Sequence, residues 1–278
     1  MSAERIDAHH HLWKYCAEDY PWMLEGMDVI RRDFLVRELK QVMQQGRMDG
    51  VITVQARQSL LETEWLLSLA RRRPFMRGVV GWVPMTDKAV GAHLERFGAN
   101  PKLKAVRHVL HDEPDDFYML RDDFNQGVAL LKNSGLRYDI LIFERHLPQT
   151  IKFVDRHPHL TFVVDHIAKP KIKDHILSPW RENMQELARR ENVFCKLSGM
   201  VTEAGWQTWT EDILRPYFDI VLECFGPQRL MFGSDWPVVL VACGYKQWVE
   251  VVERLTSALS ASERDCLFGE TAKQAYGL

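Results

Sequence analysis

The chain of 278 residues predicts a single-domain (β/α)8 barrel of the TIM type, and three observations carry that prediction. Short β-branched runs alternate with stretches of helical spacing about eight times, in a length close to the ~250 residues such barrels use. The strands read as nearly continuous apolar runs, as a parallel sheet covered by helices requires. No Gly-x-Gly-x-x-Gly follows any of them, so an open dinucleotide-binding sheet would lack its phosphate loop.

The first strand falls within Arg5-Ile6-Asp7-Ala8-His9-His10-His11-Leu12-Trp13, and a polar, aromatic connection with Tyr15, Tyr20 and Trp22 follows it. Leu35, Leu39, Val42 and Met43 are at helical spacing, with Gly46 expected beyond the helix end. Gly50 to Gln55 is the second strand, before a helix over 62–73 that Pro74 closes. Arg77 to Pro84 is the third, with a helix over 87–97. Leu103 to Val109 is the fourth, and the next helix puts Phe124, Val128 and Leu131 on one stripe before Gly135 stops it. Leu136 to Phe143 is the fifth strand, followed by a helix with Leu147, Ile151 and Val154 that Pro158 ends. Thr161 to His166 is the sixth. Ser178 is expected to cap a helix with Pro179 at its first position, running through Arg190. Residues 193–198 and 229–234 are the last two strands, separated by a helix that Pro216 should kink. The tail is helical, with a Ser260-x-x-Glu263 capping box. No repeat, linker or boundary interrupts the pattern, so residues 1–278 are read as one domain.

A net charge of −2 with interspersed signs gives no field that attracts a polyanion, which argues against nucleic acid. No apolar run reaches membrane-spanning length, which argues against a membrane partner. The N-terminus lacks the apolar region and cleavage site of a secretory signal, and five scattered cysteines read as reduced thiols, so the cytoplasm is the expected setting. A small molecule is then the expected partner. Nothing in the pattern sets an oligomeric state.

In a closed barrel the chemistry lies where strands end and their following loops begin. On the first strand His9 and His11 share a face and His10 takes the other, so an H-x-H pair can reach one ion, while His10 reads as packed. Imidazole suits zinc, iron, nickel or copper. The later strand ends offer Gln55, Trp82, Arg107 with His108, then His166, Lys196 with Ser198, and Asp235; the fifth offers nothing clearly titratable. Asp235 fits a catalytic carboxylate or a turn cap, and His166 a site member or a histidine bonded to a carbonyl. Arg107 suits an anionic or polyhydroxylated substrate, or else a surface ion pair. Lys196 reads equally well as a surface residue. Trp13, Trp82 and Trp236 fit rim packing or stacking on a sugar.

These residues also carry a resemblance. Asp7-x-His9-x-His11 with Leu12-Trp13, Val164-Asp165-His166-x-Ala168-Lys169-Pro170, Lys196-Leu197-Ser198-Gly199 and Met231-Phe232-Gly233-Ser234-Asp235-Trp236-Pro237 resemble, in order, the amidohydrolase-related TIM-barrel hydrolases, in the branch that contains sugar-acid lactonases. The resemblance implies a metal set of His9, His11, His166 and Asp235, with Asp235 and His166 catalytic and Asp235 handling the proton of the attacking water. Substrate contacts are expected from Arg107, Trp13, Gln55, Trp82, His108 and Trp236. Two-metal members have a fifth-strand histidine and a bridging group on the fourth. Here Leu136 to Ile142 holds no histidine and Arg107 ends the fourth strand, so the expectation is one divalent ion, zinc or manganese, or none. The implied reaction is hydrolysis of a sugar-acid lactone. A pyrone-dicarboxylate lactone, metal-dependent decarboxylation on the same scaffold, and a non-catalytic binding role stay open.

Overall fold

The computed structural model describes residues 3–278. Eight parallel strands follow one another around the sheet in chain order: β1 (Ile6–His10), β2 (Gly50–Val54), β3 (Met76–Gly81), β4 (Leu103–Val109), β5 (Arg137–Leu141), β6 (Phe162–Val164), β7 (Val193–Leu197) and β8 (Leu230–Phe232). The seam between β8 and β1 closes just past the end of β8. There the Asp235 amide donates to the His9 carbonyl at 2.8 Å and the His11 amide to the Trp236 carbonyl at 2.7 Å. Backbone bonds that complete the ring therefore join the two segments that carry the expected chemistry.

The helices on the outside are α1 (Val36–Gly46), α2 (Leu60–Arg71), α3 (Val90–Gly98), α4 (Asp122–Ala129) with α5 (Leu131–Ser134), α6 (Leu147–Arg156), α7 (Trp180–Ala188), α8 (Met200–Glu203) with α9 (Glu211–Phe225), and α10 (Tyr245–Leu255). Their apolar stripes bury the outer face of the sheet. A second, smaller core fills the barrel with Ile6, Ala8, Val54 and Met231, and α12 (Thr271–Tyr276), which follows the short α11 (Ala261–Asp265), inserts Tyr276 into it. The capping box is present, Ser260 accepting from the Glu263 amide and Glu263 from the Ser260 amide. Ser260→Ala should cost about 1 kcal/mol, read as a shift in denaturation midpoint at unchanged slope.

Several local expectations are corrected. Gly46 is the last residue of α1, and Arg47, at φ 54°, takes the left-handed position after it. Ser178 caps nothing: α7 begins at Trp180, after Pro179. α9 continues as one helix through Pro216, its sixth residue, so the proline does not end it. β6 ends at Val164, and His166 stands beyond it in a tight turn. The fifth strand does carry a titratable group, Asp139, fully buried.

Candidate active site

Strict alternation would put Asp7, His9 and His11 on one face. The β1–β2 register slips between Asp7 and His10, as at a bulge, and this re-aims the chain. Ala8 packs in the inner core, and Asp7 accepts from the Tyr245 hydroxyl of α10 at 3.0 Å. The Asp7 carboxylate also accepts from the Ser234 amide at 2.8 Å, the Ser234 hydroxyl at 2.6 Å and the His9 amide at 3.1 Å. It thus staples β1 to the segment after β8, and burial still pushes its carboxyl up to about 6. His10 faces the wall, its Nε2 2.8 Å from the Thr53 hydroxyl.

On the cavity side, three acceptors converge. His9 Nε2 lies 3.2 Å from His11 Nε2 and 3.7 Å from Asp235 Oδ1, and His11 Nε2 lies 3.3 Å from the same oxygen. The opposite nitrogens face acceptors: His11 Nδ1 is 2.9 Å from the Val54 carbonyl and His9 Nδ1 3.2 Å from Asp165. His9 Nδ1 also lies 3.2 Å from the Lys196 ammonium. With His11 Nδ1 donating, the His11 Nε2 lone pair points at the Asp235 carboxylate, an arrangement that a cation between them resolves. Ligands about 2.0–2.1 Å from a tetrahedral zinc sit roughly 3.3 Å apart, so the triangle fits that ion. His166 Nε2 is 3.9 Å from Asp235 Oδ1, at the edge of the same group.

Two of these residues hold unusual backbone. Asp235 has φ 57° and His166 φ 53°, conformations that non-glycine residues rarely adopt and that surrounding structure must enforce. Gly199 shows how little slack exists: at φ 67°, a Cβ there would meet the His166 ring at 2.8 Å. Gly199→Ala should therefore displace His166 and lower kcat by at least about tenfold, the scale on which misplaced groups act, with a melting curve as folding control.

Beneath the cavity floor is a fully buried charge layer. Lys196 Nζ contacts Asp139 at 2.6 Å, Asp165 at 2.9 Å and His9 Nδ1 at 3.2 Å; Arg107 reaches Asp165 at 2.8 Å, and the Tyr276 hydroxyl donates to Asp139 at 2.7 Å. Burial pushes the Asp165 carboxyl up, but Lys196, His9 and Arg107 overcome it and hold it well below the usual range. Asp139 goes up to about 6 by burial, against the pull of Lys196. Burial also pushes Asp235 up, and His166, His11 and Lys169 outweigh it.

Acidification from pH 6.5 toward 4 should destabilise the fold. Burial, first among the causes, pushes His166 down to about 4 and His10 to about 3, so across this window the unfolded chain binds protons the folded one refuses. Asp7 and Asp139, raised to about 6, and Glu62, raised to about 7, act in the opposite sense, but His9, His111, His108 and His157, all lowered by burial, tip the balance. Thermal melts should show Tm falling over this range; a rise would contradict the assignment.

The structure brings His9, His11, His166, Asp235 and Arg107 together. Gln55 is buried behind them, its carbonyl accepting from Arg107 at 2.5 Å. Trp13 and Trp236 are 0% exposed and pack against Phe34 in the outer core, so contact with substrate is corrected to a role in the wall. His108 is stacked on Tyr118 and paired with Glu113, and Trp82 donates to His108, so neither borders the cavity. The cavity encloses about 740 Å³ and is bordered instead by Trp22, Arg57, His111, Phe143, Lys169 and Trp206, among others. Asp165 and Lys169 were within a quoted motif, yet their roles become visible only once their partners are placed.

A (β/α)8 barrel with a histidine–carboxylate cluster at the C-terminal ends of its strands is the architecture of a hydrolase. The chain belongs to the amidohydrolase family, whose model matches residues 6–278. It is 42% identical over 289 residues to an L-fucono-1,5-lactonase of Burkholderia multivorans, covering 100% of this chain and 97% of that protein. An L-fucono-1,5-lactonase of Burkholderia ambifaria is 34% identical, over 98% of this chain and 95% of that one. A crystal structure of a Burkholderia multivorans amidohydrolase with bound zinc superposes with a TM-score of 0.95 at 42% identity, covering 99% and 100% of the two chains. Among the described residues no helix is long and apolar enough to cross a membrane.

Proposed function

We propose that this protein hydrolyses an uncharged sugar-acid lactone, with Asp235 as the proton-handling group. One observation carries the reading: the converging His9, His11 and Asp235 lie at a cavity whose cations are each matched by a carboxylate. Arg57 pairs with Asp19, Lys169 with Glu203 at 3.3 Å and Arg107 with Asp165 at 2.8 Å. Asp112 and Glu113 add further negative charge at the wall. A neutral polyhydroxylated ring suits such a wall, whereas a pyrone dicarboxylate would need cations to spare. The lactonase activity of the Burkholderia relatives supports the same substrate class.

Asp235, held ionised, takes the proton of the attacking water and returns it to the ring oxygen as the acyl C–O bond breaks. The Ser198 hydroxyl, 2.8 Å from His166 Nδ1, can donate to it, which leaves His166 Nε2–H to bond the carbonyl oxygen as negative charge develops there. A zinc ion held by His9, His11 and Asp235, with His166 beside them, would polarise the carbonyl and lower the pKa of bound water. Arg107, which borders the cavity, is held at its floor by Gln55 and Asp165, where it can meet the substrate. The reading takes residues 1–278 as one catalytic domain. It places the reaction in the cytoplasm, to which five unpaired cysteines are suited.

The test is a panel of aldonolactones, followed by proton release, on protein whose zinc has been measured by elemental analysis. Ring opening with bound zinc is expected; failure to open any aldonolactone at zinc saturation overturns the proposal. Chelation should lower kcat/KM by at least about a hundredfold, several kcal/mol of stabilisation being lost with the ion, and added zinc should restore it. His11→Ala should fail to retain zinc through dialysis.

A further inference from the structure

Residues 166 to 169 form a left-handed turn without a glycine: φ is 53° at His166, 48° at Ile167, 62° at Ala168 and 48° at Lys169. Such a run is disfavoured for L-residues at every position, and it is closed by the Lys169 amide donating to the His166 carbonyl at 2.8 Å. The turn that aims His166 at Asp235 also carries Lys169 to the cavity wall. Lys169 Nζ lies 3.3 Å from Glu203 Oε1, with both side chains about one-fifth exposed, and 5.5 Å from the centre of the Phe143 ring. His111 stacks on that same ring at 4.7 Å. Its Nε2 faces Asp112 at 3.3 Å, while its Nδ1 is buried and has no partner.

We infer that Lys169 and Glu203, with His111 beside them, form a subsite that binds vicinal hydroxyls of the lactone ring; this rests on the lactonase reading. An ammonium next to a carboxylate presents one donor and one acceptor side by side. Two neighbouring hydroxyls answer that pattern, one accepting from Lys169 and one donating to Glu203, through charge-assisted bonds. With His111 Nε2–H turned to Asp112, its Nδ1 accepts from a third hydroxyl. Glu203 ends α8, and the residue just before α8 is Gly199, pressed beneath His166. The subsite is therefore tied on both sides to the group that faces the reacting carbonyl. A carboxylate in place of the diol would meet Glu203 and be repelled.

The experiment compares a sugar aldonolactone with δ-valerolactone, a ring without hydroxyls, on the zinc-loaded full chain. In Glu203→Gln and in Lys169→Met, the ratio of kcat/KM for the sugar lactone to that for δ-valerolactone should fall about 10- to 100-fold, carried mainly by KM of the sugar lactone. A structural role would lower both substrates together and leave the ratio alone. His111→Phe keeps the stack on Phe143, removes Nδ1, and should lower the same ratio by about tenfold, which keeps the inference testable should the other variants fold poorly. A ratio that moves less than about threefold in all three variants overturns the subsite, since one lost charged hydrogen bond exceeds that. Wild-type protein that opens neither ring overturns the lactonase reading itself, and the subsite with it.

Discussion

Asp235→Asn should lower kcat by about 10²- to 10⁴-fold, the usual contribution of a positioned base, while leaving substrate affinity within a few-fold. The amide is nearly isosteric and can keep the contact with His11. Because Asp235 also belongs to the zinc-holding group, the variant is assayed at measured zinc content so that lost metal and lost proton chemistry are told apart. The carboxylate cannot be replaced by another: the next buried one, Asp165, is engaged by Arg107 at 2.8 Å and Lys196 at 2.9 Å. Steady-state kinetics on an aldonolactone, with calorimetric titration of the same ligand, separate the two quantities. Activity within tenfold of wild type would remove Asp235 from the reaction.

Lys196→Met should be the most destabilising substitution in the barrel interior. It leaves Asp139 and Asp165, both 0% exposed, without the ammonium that contacts them at 2.6 and 2.9 Å. Removing one partner of a buried ion pair costs about 3–5 kcal/mol because the charge left behind is unsolvated. For a chain of this size that is a Tm lower by roughly 10 °C. Asp139→Asn on the same background should recover part of the loss, because the uncompensated charge at the Tyr276 hydroxyl is then gone. Additive losses in the double variant would show that the two groups do not share one network. Zinc retention should fall as well, since Lys196 and Asp165 both border His9 Nδ1.

The order and kind of the elements were legible from residue pattern because each strand is a continuous apolar run and each helix has one apolar stripe. These are local properties that burial on a parallel sheet imposes. The metal-competent histidines and Asp235 were legible for a related reason: strand ends in a barrel share one rim, so polar groups at those positions converge whatever the loops do. Local capping was less legible. Ser178 has the residue type of a cap, but its helix starts past Pro179.

What only the tertiary structure decided were partners across the barrel. Lys196 sits between Cys195 and Leu197 and looks like any strand lysine until Asp139 and Asp165 appear beside it, 57 and 31 positions away in the chain. The tryptophans at strand ends were as compatible with a rim as with a wall. A β-bulge at Ala8–His9 and closure against the segment after β8 sent Trp13 and Trp236 into the outer core. Side-chain direction is set by register and backbone twist, which act through space, so sequence determined which chemistry was available and the packed barrel decided which of it meets the substrate.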